Sequence, residues 1–377
     1  MKSSRQHRRF YRRPGFWWPI GIVVGLLVGT LVAFNVSPWP GAMLIRAVFQ
    51  NNAAKVKTVM QEYAPTSGVE SQLNIPYSTL PDSQLDIFYP TGTDKPLGTI
   101  IWTHGGAWVS GSKDNDTPYF QILASHGYTV IGLNYGYGPE HTYPYAVYQL
   151  NMALKYIVDN AEGYHVDPTK LIMAGDSAGA QLTAQLATAI TNPEYAASLS
   201  PAPPSEGGQG FEPAIRAEQL RGVILNCGIY NMEAMVASPA QSNELGASAG
   251  SSGVPGWVSK LLMWGDNTSL WAYIGERNWQ DSPAFTQMSS LHFVNKDFPA
   301  TYISGGNADP LTDAQSKPMA SKLTSLGVSV DSLFWPANET PPLPHEYQFK
   351  LNLPAAQTAL TRTLEFVAAR FASSPVE

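Results

Sequence analysis

The stretch "MAGDSAG", Met173 to Gly179, follows Lys170-Leu171-Ile172 and runs into "AQLTAQLATAI". An apolar, strand-like run gives way to a helix-like one through a serine held between two glycines. Where a buried strand turns directly into a buried helix, there is no room for side chains two positions before and two after the serine. Gly175 and Gly179 meet that demand. The start of the helix also turns backbone N–H groups toward the hydroxyl. A serine that merely caps a helix does not need both glycines. In a chain with 32 glycines the pattern alone is weak, so Ser177 is a nucleophile only if its companions are present.

A serine hydroxyl attacks a carbonyl when a base lies within hydrogen-bond reach and an acid holds that base in the right tautomer. Of the seven histidines, only His345 follows the last apolar strand segment, in "PPLPHEYQF". The aspartates between Ser177 and His345 are Asp266, Asp281, Asp297, Asp309, Asp313 and Asp331. Asp309 follows "ATYISGG" in "GGNADPL", at the carboxyl end of a strand and beside the serine turn. It is the first choice, and Asp313, one helical turn on, the second. In "WTHGGAW", Trp102 to Trp108, glycines at a strand end let backbone N–H groups approach the oxygen on which charge develops. His104 in that loop reads as structural, bonded to neighbouring backbone.

The elements that must position these residues alternate along the chain. Strand segments are "LNIPYS", "LDIFYP", "GTIIWTH", "TVIGLNY", "KLIMAG", "GVILNCG", "ATYISGG" and "VSVDSLFWP". Helical segments between and after them are "PYFQILASHG", "PYAVYQLNMALKYIVDN", "AQLTAQLATAI", "AQSKPMASKLTSLG" and "LPAAQTALTRTLEFVAARF". Such alternation predicts an α/β fold, a mainly parallel sheet with helices on both faces. Two stretches break the rhythm. Asn192 to Pro213, rich in Pro, Ser and Gly, reads as a mobile surface loop. Residues 237–279 pass from a Ser/Gly/Ala run into a segment with Trp257, Trp264, Trp271 and Tyr273. That segment is either a helical excursion packed on the body or a lid over a substrate pocket.

Taken in order, "HGGAW", "NYGYGPEHTYPYA", "GDSAG", "GGNADPL" and "PHEYQF" resemble the α/β-hydrolases, and among them the hormone-sensitive-lipase-like carboxylesterases and the feruloyl-esterase-like group. The resemblance covers roughly Leu73 to Phe371. It implies an α/β-hydrolase fold, with an eight-stranded, mainly parallel sheet flanked by helices and a lid-like insertion. It implies Ser177 as nucleophile, His345 as general base and then acid, and Asp309 as its orienter. The implied oxyanion hole comprises Gly105, Gly106, Ala107 and Ala178, with the N–H groups of the last three as donors and Gly105 supporting the loop. One departure is His-Gly-Gly-Ala in place of the commoner His-Gly-Gly-Gly, where the Ala107 methyl narrows the acyl pocket. Glu140 matches a position that is usually structural. No metal or organic cofactor is implied. The sequence agrees, with no His-Glu-x-x-His and, in "KDNDTP", neither the glycine nor the terminal glutamate of a calcium loop.

The amino end is different in kind. Lys2, Arg5, Arg8, Arg9, Arg12 and Arg13 precede "FWWPIGIVVGLLVGTLVAFNV", Phe16 to Val36, which carries no charge. As a helix it is long enough for a hydrocarbon layer of roughly 30 Å. Phe10, Tyr11, Trp17, Trp18 and Trp39 stand at its two edges, as interfacial aromatics do. The expected organisation is a cytoplasmic basic tail (1–15), a transmembrane anchor (16–36), a juxtamembrane helical segment (37–72) and an extracellular catalytic domain (73–377). A cleaved signal peptide is the competing reading, against which stand the length of the run and the lack of a small-x-small site in "AFNVSPWPG".

The net charge of −6 hides a split, because from Glu62 onward 14 basic face 29 acidic side chains, a balance of −15. That body repels polyanions, which excludes nucleic acid as a partner. The sole cysteine, Cys227, forms no intrachain disulfide and reads as a small buried apolar residue. The sequence therefore predicts a membrane-anchored serine carboxylesterase acting on small acyl or aryl esters through an acyl-enzyme. Its partners are a small-molecule ester and, through the N-terminal helix, a lipid bilayer. The competing functions are removal of acetyl or feruloyl groups from polysaccharide, peptide hydrolysis on the same fold, and binding without catalysis.

Overall fold

In the computed structural model the chain is described over residues 14–199, 210–235 and 256–372. The expected basic tail, apart from residues 14 and 15, and the stretches 200–209 and 237–255 lie outside the described residues. The strands are β1 Val69–Pro76, β2 Gln84–Pro90, β3 Leu97–Thr103, β4 Thr129–Leu133, β5 Val166–Asp176, β6 Leu220–Asn226, β7 Thr301–Gly305 and β8 Val330–Phe334. They form one eight-stranded sheet in the order β1-β2-β4-β3-β5-β6-β7-β8. Pairing is antiparallel from β1 through β2 to β4 and parallel from there to β8.

Side-chain alternation explains why β5 is apolar from Leu171 to Ala174. In β5, Leu171 and Met173 pack into one layer with Leu154, Ile157, Leu182, Leu186 and Leu323. Ile172 and Ala174 point the other way, into a layer with Phe120, Leu123, Phe349 and Val367. A strand covered on both faces needs apolar residues at every position. The helices are α1 Pro14–Val36, α2 Trp39–Gln61, α3 Thr117–Ser125, α4 Tyr145–Asp159, α5 Ser177–Thr191, α6 Pro193–Ser198, α7 Gly256–Ile274, α8 Pro283–Gln287, α9 Lys317–Ser325 and α10 Pro354–Ala372. Thus α4, α5 and α9 cover one face and α3 and α10 the other. Every residue of α5 is buried, which is what its Ala, Leu and Thr composition permits.

Two expectations change. The segment from Asn192 is not all loop, because it opens with α6. Asn192 accepts hydrogen bonds from the backbone N–H groups of Glu194 and Tyr195, both at 3.1 Å. Tyr195 is buried and donates its hydroxyl to the Gln287 carbonyl at 2.6 Å. The Asn-Pro pair that opens the expected loop is here a helix cap followed by proline at the first helical position, where proline is tolerated. At the amino end, the apolar run expected as a single span lies in α1. Among the described residues no single helix is long and apolar enough to cross a membrane. A bent pair, Gly21–Val36 and Trp39–Gln61, passes together by length and composition, its two halves meeting at 89°.

The sheet edge is pinned by a buried cation. The side chain of Lys113 is 1% exposed, and its ammonium lies 3.0 Å from Asp86 Oδ1, 2.9 Å from Asn74 Oδ1 and 2.9 Å from Asp114 Oδ1. Asn74, at φ +57°, sits where the β1–β2 register shifts, and its N–H donates to Asp86 Oδ1 at 2.6 Å. Removing one partner of a buried ion pair leaves an uncompensated charge, at a cost of about 3–5 kcal/mol. Lys113→Met is therefore expected to lower the urea midpoint by that equivalent, and adding Asp86→Asn should recover part of it. An equal loss from Asp114→Asn, whose carboxylate is 62% exposed, would contradict this.

Candidate active site

Ser177 follows β5 directly as the first residue of α5 and has φ +50°. For a residue with a side chain this left-handed backbone costs on the order of 1–3 kcal/mol. The glycines show what enforces it. A Cβ on Gly175 would stand 2.5 Å from the Gly179 carbonyl oxygen, and one on Gly179 would overlap the carbonyls of Thr103 and His104. The turn closes on itself and on the end of β3.

His345 Nε2 lies 2.8 Å from Ser177 Oγ, and Nδ1 lies 2.9 Å from Asp309 Oδ2. With Nδ1–H donating to the carboxylate, Nε2 is left to accept the serine proton. Asp309 is buried and accepts the Leu311 N–H on its other oxygen at 3.0 Å. Asp313 is elsewhere, its carboxylate 82% exposed and paired with Lys317 at 2.5 Å. Burial opposes charge on the His345 ring, but the Asp309 carboxylate favours it, and the pKa is held well above the ordinary value.

In the β3 loop, Gly106, Ala107 and Trp108 have φ of +124°, +52° and +57°. Successive residues bent this way gather N–H groups into a concavity that suits an anion. Ala178 lies in the first turn of α5, where N–H groups have no intrahelical acceptor. Gly105 is different. Its N–H donates to Asp176 Oδ2 at 2.9 Å, so it braces the loop and is no oxyanion donor. His104 Nδ1 lies 2.7 Å from the Gly105 carbonyl, and its ring stacks on Tyr135 at 4.4 Å. Burial lowers its pKa to about 4, which keeps it neutral.

Three residues of the site were not singled out by the sequence. Asp176 is buried, and besides Gly105 it accepts the Trp102 indole N–H at 2.8 Å. Burial, with Asp116 and Glu346 nearby, pushes its pKa well above the carboxylate range. A charged residue ending an apolar strand was the available signal, since it must have partners. Arg46, from α2, donates to the Val109 carbonyl at 2.7 Å, the Gly138 carbonyl at 3.0 Å and both Glu140 oxygens at 2.7 Å. Gly138 in turn donates to the Trp108 carbonyl at 2.7 Å. Glu140 is thus one jaw of a clamp on the oxyanion loop. Cys227 is buried as expected, but it is more than apolar filling. Its Sγ, an Asp309 oxygen and a His345 nitrogen all lie within 4.8 Å of one another. Among the described residues this trio could hold a metal ion, and two of its members are already the hydrogen-bonded pair of the site. Burial pushes the Cys227 thiol pKa up.

The sheet order and the serine at the β5–α5 turn define the chain as an α/β-hydrolase. It belongs to the BD-FAE family, whose profile matches residues 85–323. The chain is 27% identical over 308 residues to the carboxylesterase NlhH of Mycobacterium tuberculosis, covering 80% of this chain and 83% of that protein. Among solved structures it is similar to esterase B of Lactobacillus rhamnosis (TM-score 0.66, 20% identity, 88% of this chain and 96% of that one). It is likewise similar to the Pyrobaculum calidifontis esterase (TM-score 0.64, 19% identity, 88% and 94%).

Two outcomes follow from this geometry. Ser177→Gly relieves the left-handed strain and is expected to stabilise the fold by about 1 kcal/mol in chemical denaturation; destabilisation would show that the turn is unstrained. The second concerns pH. A His345 serving as base works neutral, so kcat/KM with an ester substrate is expected to fall as pH drops through its raised pKa, above the ordinary value of about 6.5. Asp309→Asn removes the charge that raises it, so the acid limb should move to lower pH while turnover drops roughly 10⁴-fold. Glu346 (Oε1 3.8 Å from His345 Nε2), Cys227 and Asp266 also act on this ring and remain in the variant.

Proposed function

We propose that the chain is a membrane-anchored serine carboxylesterase that cleaves small acyl or aryl esters through an acyl-enzyme on Ser177. The observation that carries this reading is the unbroken line Ser177 Oγ, His345, Asp309, with contacts of 2.8 and 2.9 Å. His345 Nε2 takes the serine proton as Oγ bonds to the ester carbonyl carbon. The charge that develops on the carbonyl oxygen is met by the N–H groups of Gly106, Ala107 and Ala178. Collapse breaks the carbonyl carbon–oxygen bond, and His345 returns the proton to the departing alkoxide. Water, deprotonated by His345, then attacks the acyl-enzyme and frees Ser177. The names of similar proteins support an ester substrate: carboxylesterase in the Mycobacterium relative, and esterase in the Lactobacillus and Pyrobaculum structures.

Two features support the anchor. The bent pair Gly21–Val36 and Trp39–Gln61 passes together, by length and composition, as a candidate span. From Gly21 to Val32 every residue is exposed, Leu26 and Leu31 at 67% and 65%, and all but Thr30 are apolar. The six cationic residues before the helix favour a cytoplasmic amino terminus and an extracellular catalytic domain.

The test compares the chain with Ser177→Ala on p-nitrophenyl esters from acetate to decanoate. Turnover should fall by on the order of 10⁴-fold or more in the variant. Equal rates in both proteins would remove Ser177 from the chemistry.

A further inference from the structure

The helix that follows α1 is part of the site's wall. Ala42 and Ile45 of α2 are buried against Val109 and Ala272, with Met43, Ala107 and Trp264 packed around them. Ala107 is the residue of the oxyanion loop whose methyl faces this apolar group. Trp264, from α7, also lies with its ring 6.2 Å from the Phe34 ring near the end of α1. One apolar contact therefore runs from α1 through Trp264 to the oxyanion loop, and the Arg46 clamp fastens α2 to the same loop.

The orientation of α2 adds to this. It leaves α1 at 89°, so if α1 crosses a bilayer, α2 lies along its surface. Its exposed positions change character along its length. Trp39, Leu44 and Val48 are exposed near α1, while Asn51, Lys55 and Thr58 are exposed further on. An apolar half beside the anchor and a polar half away from it fit a helix emerging from lipid. The pole of the body that touches α1 is also the pole that carries Met43, Ala107 and Trp264. The body's balance of −15 disfavours anionic substrates from water.

We infer that the acyl side of the active site opens toward the bilayer, and that the substrate is an uncharged ester dissolved in it. Its apolar acyl chain enters along Met43, Ala107 and Trp264. This rests on both the anchor and the esterase readings, and the experiment separates the three. The full chain is reconstituted in phosphatidylcholine vesicles and recovered by flotation. It is then assayed on water-soluble 4-methylumbelliferyl acetate, and on 4-methylumbelliferyl oleate placed either in the same vesicles or in separate ones. Co-residence raises the effective concentration, so the oleate in the same vesicles should be cleaved on the order of 100-fold faster than in separate ones. Acetate cleavage with equal oleate rates in both arrangements overturns the bilayer-facing mouth and leaves the esterase. It would also free the exposed face of α2 for another occupant, such as a second copy of the chain. Failure to float with the vesicles overturns the anchor, and the inference with it. No cleavage of either ester overturns the esterase reading and the inference together.

Discussion

The close approach of the β5–α5 turn to the end of β3 is the constraint on which the rest of the site depends. Gly179 lies so near the carbonyls of Thr103 and His104 that no Cβ fits between them. That contact fixes the distance between the helix that begins at Ser177 and the loop beginning at His104. It thereby sets Ala178 on one side of a concavity and Gly106 and Ala107 on the other. Asp176 works across the same seam. From the residue before Ser177 it holds Gly105 and Trp102, so two neighbouring strands present their ends at a fixed relative height. The hydrogen bonds of His345 are useful only because this seam has already aimed the serine.

Strain and buried polar groups collect at this edge of the sheet. Among the described residues eight non-glycine residues have positive φ, and Ala107, Trp108, Ser177, Cys227 and Glu346 belong to the site or adjoin it. Each such residue costs on the order of 1–3 kcal/mol. A buried acid, Asp176, stands there too, its pKa pushed up by burial. The two apolar layers on either side of the parallel strands make this arrangement tolerable. The active edge is thus the least relaxed part of a fold whose stability lies a few residues further into the sheet. Ligand sites of open α/β sheets lie outside the carboxyl ends of the strands, which is where this edge stands.

What the sequence made legible follows from how local each signal is. The strand–turn–helix at Ser177 is written within fifteen residues, and the two-sided burial of β5 is written in its unbroken apolar run. Chain order and strand ends sufficed to favour Asp309 over Asp313, and the structure sets Asp309 against His345 while Asp313 faces solvent beside Lys317. Arg46 had no such signal, because its partners Val109, Gly138 and Glu140 lie 63 or more positions away. Cys227 was equally opaque, since its neighbours Asp309 and His345 come from loops after later strands. Gly105 was expected to support the loop, and the side chain through which it does so, Asp176, lies 71 positions on, where no local signal could point to it. Asn192-Pro193 failed in another way, because the same two residues end one helix and start the next.

The most direct test of the account is the chemistry of Ser177 itself. The full chain would be treated with a small fluorophosphonate and its peptides analysed by mass spectrometry. The account predicts one phosphonyl group per chain, on Ser177, and its loss in His345→Ala under the same conditions. An unlabelled native chain, or a label on a different serine, would contradict it.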